Sequence, residues 1–148
     1  MNTETKGLVE TYLAWLRERS SEREIEGGWH ELTLPFLDRH NDHLLVYVRR
    51  GHDGLLITDE GRTIGDLKRV GCDLKASPKR RAIAEGILRG LGLDPDLLDQ
   101  GEIKTAAVDG EFPGRLHRML MSMLAIDGLA HGVRRGPTRD SRGSGSVS

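Results

Sequence analysis

"DHLLVYVRRGHDGLLITDEG", Asp42 to Gly61, is the stretch on which the fold turns. Val46, Tyr47 and Val48 suit a pleated, half-buried surface, so Leu44 to Val48 reads as a strand. The segment "RRGHDG" supplies turn residues, with Asp53-Gly54 the strongest pair. Leu55 to Thr58 is the return strand, which makes 43–58 a β-hairpin. Side chains alternate along a strand, so Asp42, Leu44, Val46 and Val48 share a face; on the return strand Leu55, Ile57 and Asp59 share one, and directly opposed residues of a hairpin point to the same side. Pairing Val48 with Leu55 sets Val46 against Ile57 and Leu44 against Asp59. Asp42 then lies diagonal to Asp59, at the roughly 7 Å typical of such neighbours. His43 points the other way, with Leu45 and Tyr47.

Working outward, Thr5 to Arg19 has apolar residues at spacings of three and four, and reads as a helix. Ser20 to Gly28 is polar and ends in Gly-Gly, as a loop does. Trp29 to Leu34 reads as a short strand closed by Pro35. After the hairpin, Thr63 to Val70 forms a short helix stopped by Gly71. Ser77 as N-cap and Pro78 at the first helical position open a longer one, reaching about Leu91. Asp94-Pro95 repeats the signal for a very short helix. Glu102 to Val108 reads as a strand, and a last helix runs from near Pro113 to about Gly132. The expected fold is α+β: a small, mostly antiparallel sheet with a central hairpin, packed by four to five helices. Residues 1–132 form one expected domain, and the Arg/Gly/Ser stretch 133–148 an expected disordered tail.

Bulk composition narrows the function classes. The chain has 148 residues, 36% hydrophobic, 30% charged, with net charge −1. No general attraction to nucleic acid or anionic lipid follows from that balance, and no stretch is long and apolar enough to span a membrane. The segment Arg134 to Ser148 is locally basic, with four Arg and one Asp. The single cysteine, Cys72, excludes an internal disulfide and reads as a small buried hydrophobe. Without an N-terminal signal pattern, the expected location is the cytoplasm.

Three features are candidates for function. Asp42 and Asp59, with His40 and Glu60 nearby, have the residue types of a divalent-metal site holding Mg²⁺ or Mn²⁺ for phosphodiester hydrolysis. The same residues also suit ordinary capping, the favoured reading: Asp59 for the helix after Gly61, Asp42 for the strand entrance. Lys75, Lys79, Arg80 and Arg81 crowd a helix N-terminus and form a candidate phosphate-binding cluster. The methionine-rich helix "LHRMLMSMLAIDGLA" is apolar over most of its circumference, so it is central in the fold or covered by a second copy. Asp127 falls about 20° from Leu116, inside that helix's apolar stripe, and needs a partner. Zinc fingers, calcium loops, phosphate-binding glycine loops and serine nucleophile elbows are absent from the sequence.

The stretch "TLPFLDRHNDHLLVYV" (33–48), followed by "LLITDEGRTIGDL" (55–67) and Gly71-Cys72, resembles a family of small bacterial, archaeal and phage proteins known only as a domain of unknown function. The resemblance covers about Trp29 to Leu91 well and the last helix loosely. It implies a prokaryotic or phage origin and brings no established activity. The element order is also similar, in architecture alone, to the restriction-endonuclease-like nucleases. Those enzymes place an Asp on one strand and, on the next, an acid, any residue, then Lys. Asp42 matches the first position. Thr58-Asp59-Glu60-Gly61-Arg62 has no Lys after the acid. The expectation is a non-enzymatic accessory protein that binds a protein or nucleic-acid partner, in host–phage conflict if the resemblance is followed. The alternative is a metal-dependent nuclease using Asp42, Asp59 and Glu60.

Overall fold

Five strands lie in the order in which the chain makes them. The computed structural model describes residues 6–132, so the expected tail at 133–148 lies outside the described residues. Helix α1 (Leu8–Arg19) leads into β1 (Ser21–Glu24), and a one-turn 3-10 helix at Glu26–Gly28 precedes β2 (Trp29–Leu37). Then come β3 (His43–Gly51), β4 (Gly54–Thr58), α2 (Arg62–Arg69), α3 (Pro78–Gly90), the four-residue α4 (Leu97–Gln100), β5 (Lys104–Ala107) and α5 (Phe112–Asp127). The sheet order is β1-β2-β3-β4-β5, every pair antiparallel. This is the expected α+β class.

Helices α2 to α5 cover one face of the sheet. Leu44, Val46 and Val48 of β3, Leu55 and Ile57 of β4 and Ala107 of β5 pack against Leu67 of α2, Ala84 and Leu88 of α3, Leu97 and Leu98 of α4, and Met119, Leu120, Met123 and Ile126 of α5. Helix α5 is therefore central, and of its core-type methionines only Met121 is left exposed. Cys72 is buried among the same residues. Ser77 caps α3 by accepting the Arg80 N–H, with Pro78 at the first turn as read.

Three expectations are corrected. The hairpin ladder runs two residues out from the expected register, pairing Val48 with Ile57 and Tyr47 with Thr58. The reason is the turn: Arg49 and Arg50 stay in the strand, pairing with Leu56 and Leu55, and only His52 and Asp53 lie between the paired Gly51 and Gly54. A shift of two preserves the faces, so the core residues were assigned correctly while their partners were not. Strand β2 continues through Pro35 to Leu37, with an irregularity between Leu34 and Leu37 that absorbs the proline. Ser21–Glu24, expected within a loop, is an edge strand paired with β2. All four of its residues are exposed, so it carries no hydrophobic alternation to announce it.

Gly54 shows where the sheet is tightest. Its φ is +142°, and a Cβ there would lie 2.4 Å from the Ala107 carbonyl oxygen of β5. Substitution by alanine therefore meets backbone, not a movable side chain. Gly54→Ala is expected to cost about 2 kcal/mol or more, read as a lower urea midpoint at unchanged m-value.

Candidate functional site

Asp59 is fully buried at the end of β4. The chain turns there through Glu60 at φ 58° and Gly61 at φ 78°, two successive left-handed residues. That turn aims backbone N–H groups at one side chain. Asp59 Oδ1 accepts from Gly61 N at 2.8 Å and from Ile103 N at 3.0 Å, and Oδ2 accepts from Thr63 N at 3.2 Å. The Asp59 N–H donates to the Ile103 carbonyl at 3.0 Å. One carboxylate thus joins β4, the start of α2 and the segment leading into β5. Burial pushes this carboxyl above its ordinary pKa, and the N–H donors offset part of that rise. Thr58 adds a second tie, accepting the Glu60 N–H at 2.9 Å and donating to the Glu102 carboxylate.

This geometry answers the question of paired carboxylates. In the observed register Leu44 and Asp59 are not partners, so the diagonal Asp42–Asp59 arrangement loses its basis. Asp42 is exposed and belongs to the β2–β3 turn. There Asp38 Oδ1 accepts the N–H groups of His40 and Asp42 at 2.8 and 3.0 Å, and Asn41 takes φ 64°. Glu60 is an exposed turn residue. Among the described residues no three His, Cys, Asp or Glu side chains converge as a metal site. Asp59, its oxygens already holding three N–H groups, does not fit as a ligand for Mg²⁺ or Mn²⁺.

What the structure brings together instead is centred on Arg39, which the sequence reading passed over. The tight turn throws Arg39 back against α2 and the C-terminal end of α5. Its backbone N–H donates to Asp127 Oδ2 at 2.9 Å and its guanidinium donates to Asp127 Oδ1. Its Nη2 lies 2.6 Å from Asp66 Oδ2. That second contact is ionic and not a directed hydrogen bond, because no acceptor lies along the N–H directions. Asp66 also receives His40 Nε2 at 2.9 Å and Arg69 at 3.1 Å. Burial alone would raise the Asp66 carboxyl. His40, Arg69 and Arg39 outweigh it and hold the group below its ordinary value. Asp127 thereby finds the partner that its place in an apolar stripe required. That stripe position was the one signal in the sequence for this cluster.

Beside the cluster lies a cleft of about 420 Å³. The turn residues Asp38, His40 and Asp42 form one wall and Arg62, Asp66 and Arg69 another, with Leu44, Leu45 and Met123 between them. His43, expected to point away from the Asp42 side, also reaches its rim. The basic quartet is elsewhere and does not act as a unit. Arg81 is bound by Asp99 at 2.9 and 3.1 Å and by Glu85 at 3.1 Å. Arg80 is half-buried, and Lys75 and Lys79 are exposed.

The model of the family described as domain of unknown function DUF1828 matches residues 34–126. The chain belongs to this family. The DUF1828 match takes in the Asp59 turn and, of the Arg39 cluster, Arg39, His40, Asp66 and Arg69, ends one residue before Asp127, and leaves α1, β1 and the first half of β2 outside. No curated protein and no solved structure matches the chain.

Two outcomes test these assignments. Asp59→Ala strands three backbone N–H groups and is expected to cost at least about 3 kcal/mol. Asp59→Asn keeps one acceptor and should cost distinctly less, both read from urea unfolding. For Asp66 the folded pKa is depressed, so its contribution is present above the unfolded value near pH 4 and is lost as pH falls through the folded value. Stability between about pH 5 and 2 should therefore fall less in Asp66→Asn than in the wild type.

Proposed function

We propose that this chain is a small accessory binding protein, without catalytic chemistry of its own, that recognises a protein partner through the cleft at the end of the sheet. The observation that carries this reading is the engagement of the carboxylates. Asp59 is used by the backbone, and Asp66 and Asp127 are used by Arg39. Engaged charges fix a shape and leave little for proton transfer or metal ligation.

The cleft's lining favours protein over nucleic acid. Asp38, Asp42, Asp66 and Asp127 outnumber Arg62 and Arg69 around an apolar floor, and Asp42, exposed and outside the ion pairs of the described residues, is left to receive a basic side chain. The basic cluster that would have held phosphate has lost Arg81 to Asp99 and Glu85. A prokaryotic or phage setting belongs to this proposal and rests on the family resemblance.

Fluorescence anisotropy with two labelled probes at physiological salt tests it. An arginine-rich peptide should bind, with affinity lowered about 5- to 10-fold in Asp42→Ala, while a single-stranded oligonucleotide should not. Oligonucleotide binding that depends on Lys79 and Arg80 would move the reading to nucleic acid. Calorimetric uptake of Mn²⁺ that disappears in both Asp42→Ala and Asp59→Asn would restore the nuclease reading.

A further inference from the structure

Helix α1 presents an apolar face that the described fold leaves open. Leu8, Tyr12 and Trp15 form one stripe and Val9, Leu13 and Leu16 the next, at spacings of three and four. No residue of α1 is buried. Leu8 is 59% exposed, Val9 70%, Tyr12 56%, Leu13 48% and Trp15 42%. Only Ala14 and Leu16 are half-buried. Single exposed apolar residues are ordinary on protein surfaces, but a contiguous run of five on one helix marks an interaction face.

We infer that this face is covered by α1 of a second copy of the chain, the two helices packing antiparallel about a two-fold axis. This goes beyond the cleft and does not depend on it. The first argument is self-complementary spacing. Leu8, Tyr12, Trp15 and Arg19 follow one another by four, three and four residues, a pattern that reads the same in both directions. In an isologous contact, residue i meets j and j meets i. An axis passing between Leu13 and Ala14 sets Tyr12 of each copy against Trp15 of the other, and Leu8 against the aliphatic stem of Arg19. The stripe is prepared for this, since Tyr12 and Trp15 are stacked with centroids 6.4 Å apart and Arg19 lies 4.5 Å over the Trp15 ring.

The second argument is charge. The helix carries Glu10, Glu18, Arg17 and Arg19, which balance. The only charge within the stripe is Arg19, and antiparallel packing places the two copies of it at opposite ends, roughly 16 Å apart along the axis.

The third argument removes the competing occupants. Residues 133–148 offer only two valines among Arg, Gly and Ser, too little apolar surface to cover this face. The edge strand β1 would have to pair with itself in a register that keeps the core faces on one side. Those registers oppose Glu22 to Glu22, or Arg23 to Arg23 with Glu22 against Glu24, and like charges directly opposed disfavour pairing.

With all five side chains covered each copy contributes at most about 600 Å², so two copies bury at most about 1,200 Å², the lower limit for a specific interface. The dimer is therefore expected to dissociate in the micromolar range. Sedimentation of the full chain from about 1 to 500 µM tests this. The wild-type mass should move from 16.4 kDa toward twice that value as concentration rises. Tyr12→Glu/Trp15→Glu should remain monomeric, with an unchanged melting temperature at low concentration because neither side chain is buried. A wild type that stays monomeric throughout overturns the inference. So does a dimer that persists in the double variant.

Discussion

The carboxylate of Asp59 is the contact on which the architecture depends. It is the meeting point of three segments distant in sequence: the end of β4, the first turn of α2, and the chain leading into β5. The two left-handed residues that follow are what make this possible, because they fold the backbone so that N–H groups converge on one side chain. A buried carboxylate is costly unless it is fully hydrogen-bonded. Here three backbone donors, at 2.8, 3.0 and 3.2 Å, meet that requirement. Gly61 is needed for the same reason. Its φ is +78°, and a Cβ there would lie 3.0 Å from the Gly101 carbonyl oxygen, so the turn and the α4–β5 connection are packed as one piece.

Arg39 does for the β2–β3 turn, at the same end of the sheet, what Asp59 does for the β4–α2 turn, with the charges reversed. A cation on a tight turn is held between a carboxylate on α2 and one at the end of α5. A planar guanidinium with five donors suits this better than an ammonium would. Two features that look catalytic in composition, an acid in a Thr-Asp-Glu-Gly turn and a run of Asp and His ahead of a strand, are thus explained first as fasteners. Their grouping also shapes the cleft between them.

The sequence was most legible where periodicity and punctuation agree. The hairpin, the Ser77-Pro78 helix start and the apolar last helix all have strong local signals, and all are present. The hairpin register escaped because both candidate registers bury the same face, and hydrophobic pattern alone does not distinguish shifts of two. Strand β1 escaped because four exposed polar residues carry no alternation; it exists through its pairing with β2. Of the site, Asp127 was legible as a misfit in an apolar stripe. Arg39 was not, since an arginine in a polar loop looks solvated until the turn that redirects it is known.

The strand order has a consequence for how the chain reaches this state. Strands β1 to β4 form a meander in which each pairing closes only a short loop. Pairing β4 with β5 must close the loop that carries α2, α3 and α4, an added entropic cost that the local hairpins do not bear. The topology implies that the meander forms early and that β5 docks last. The two hydrogen bonds between Ile103 and Asp59, one donated by each backbone N–H, belong to that late step. They contribute less to the speed of assembly than to the persistence of the assembled state, acting as a bolt drawn after the door has closed.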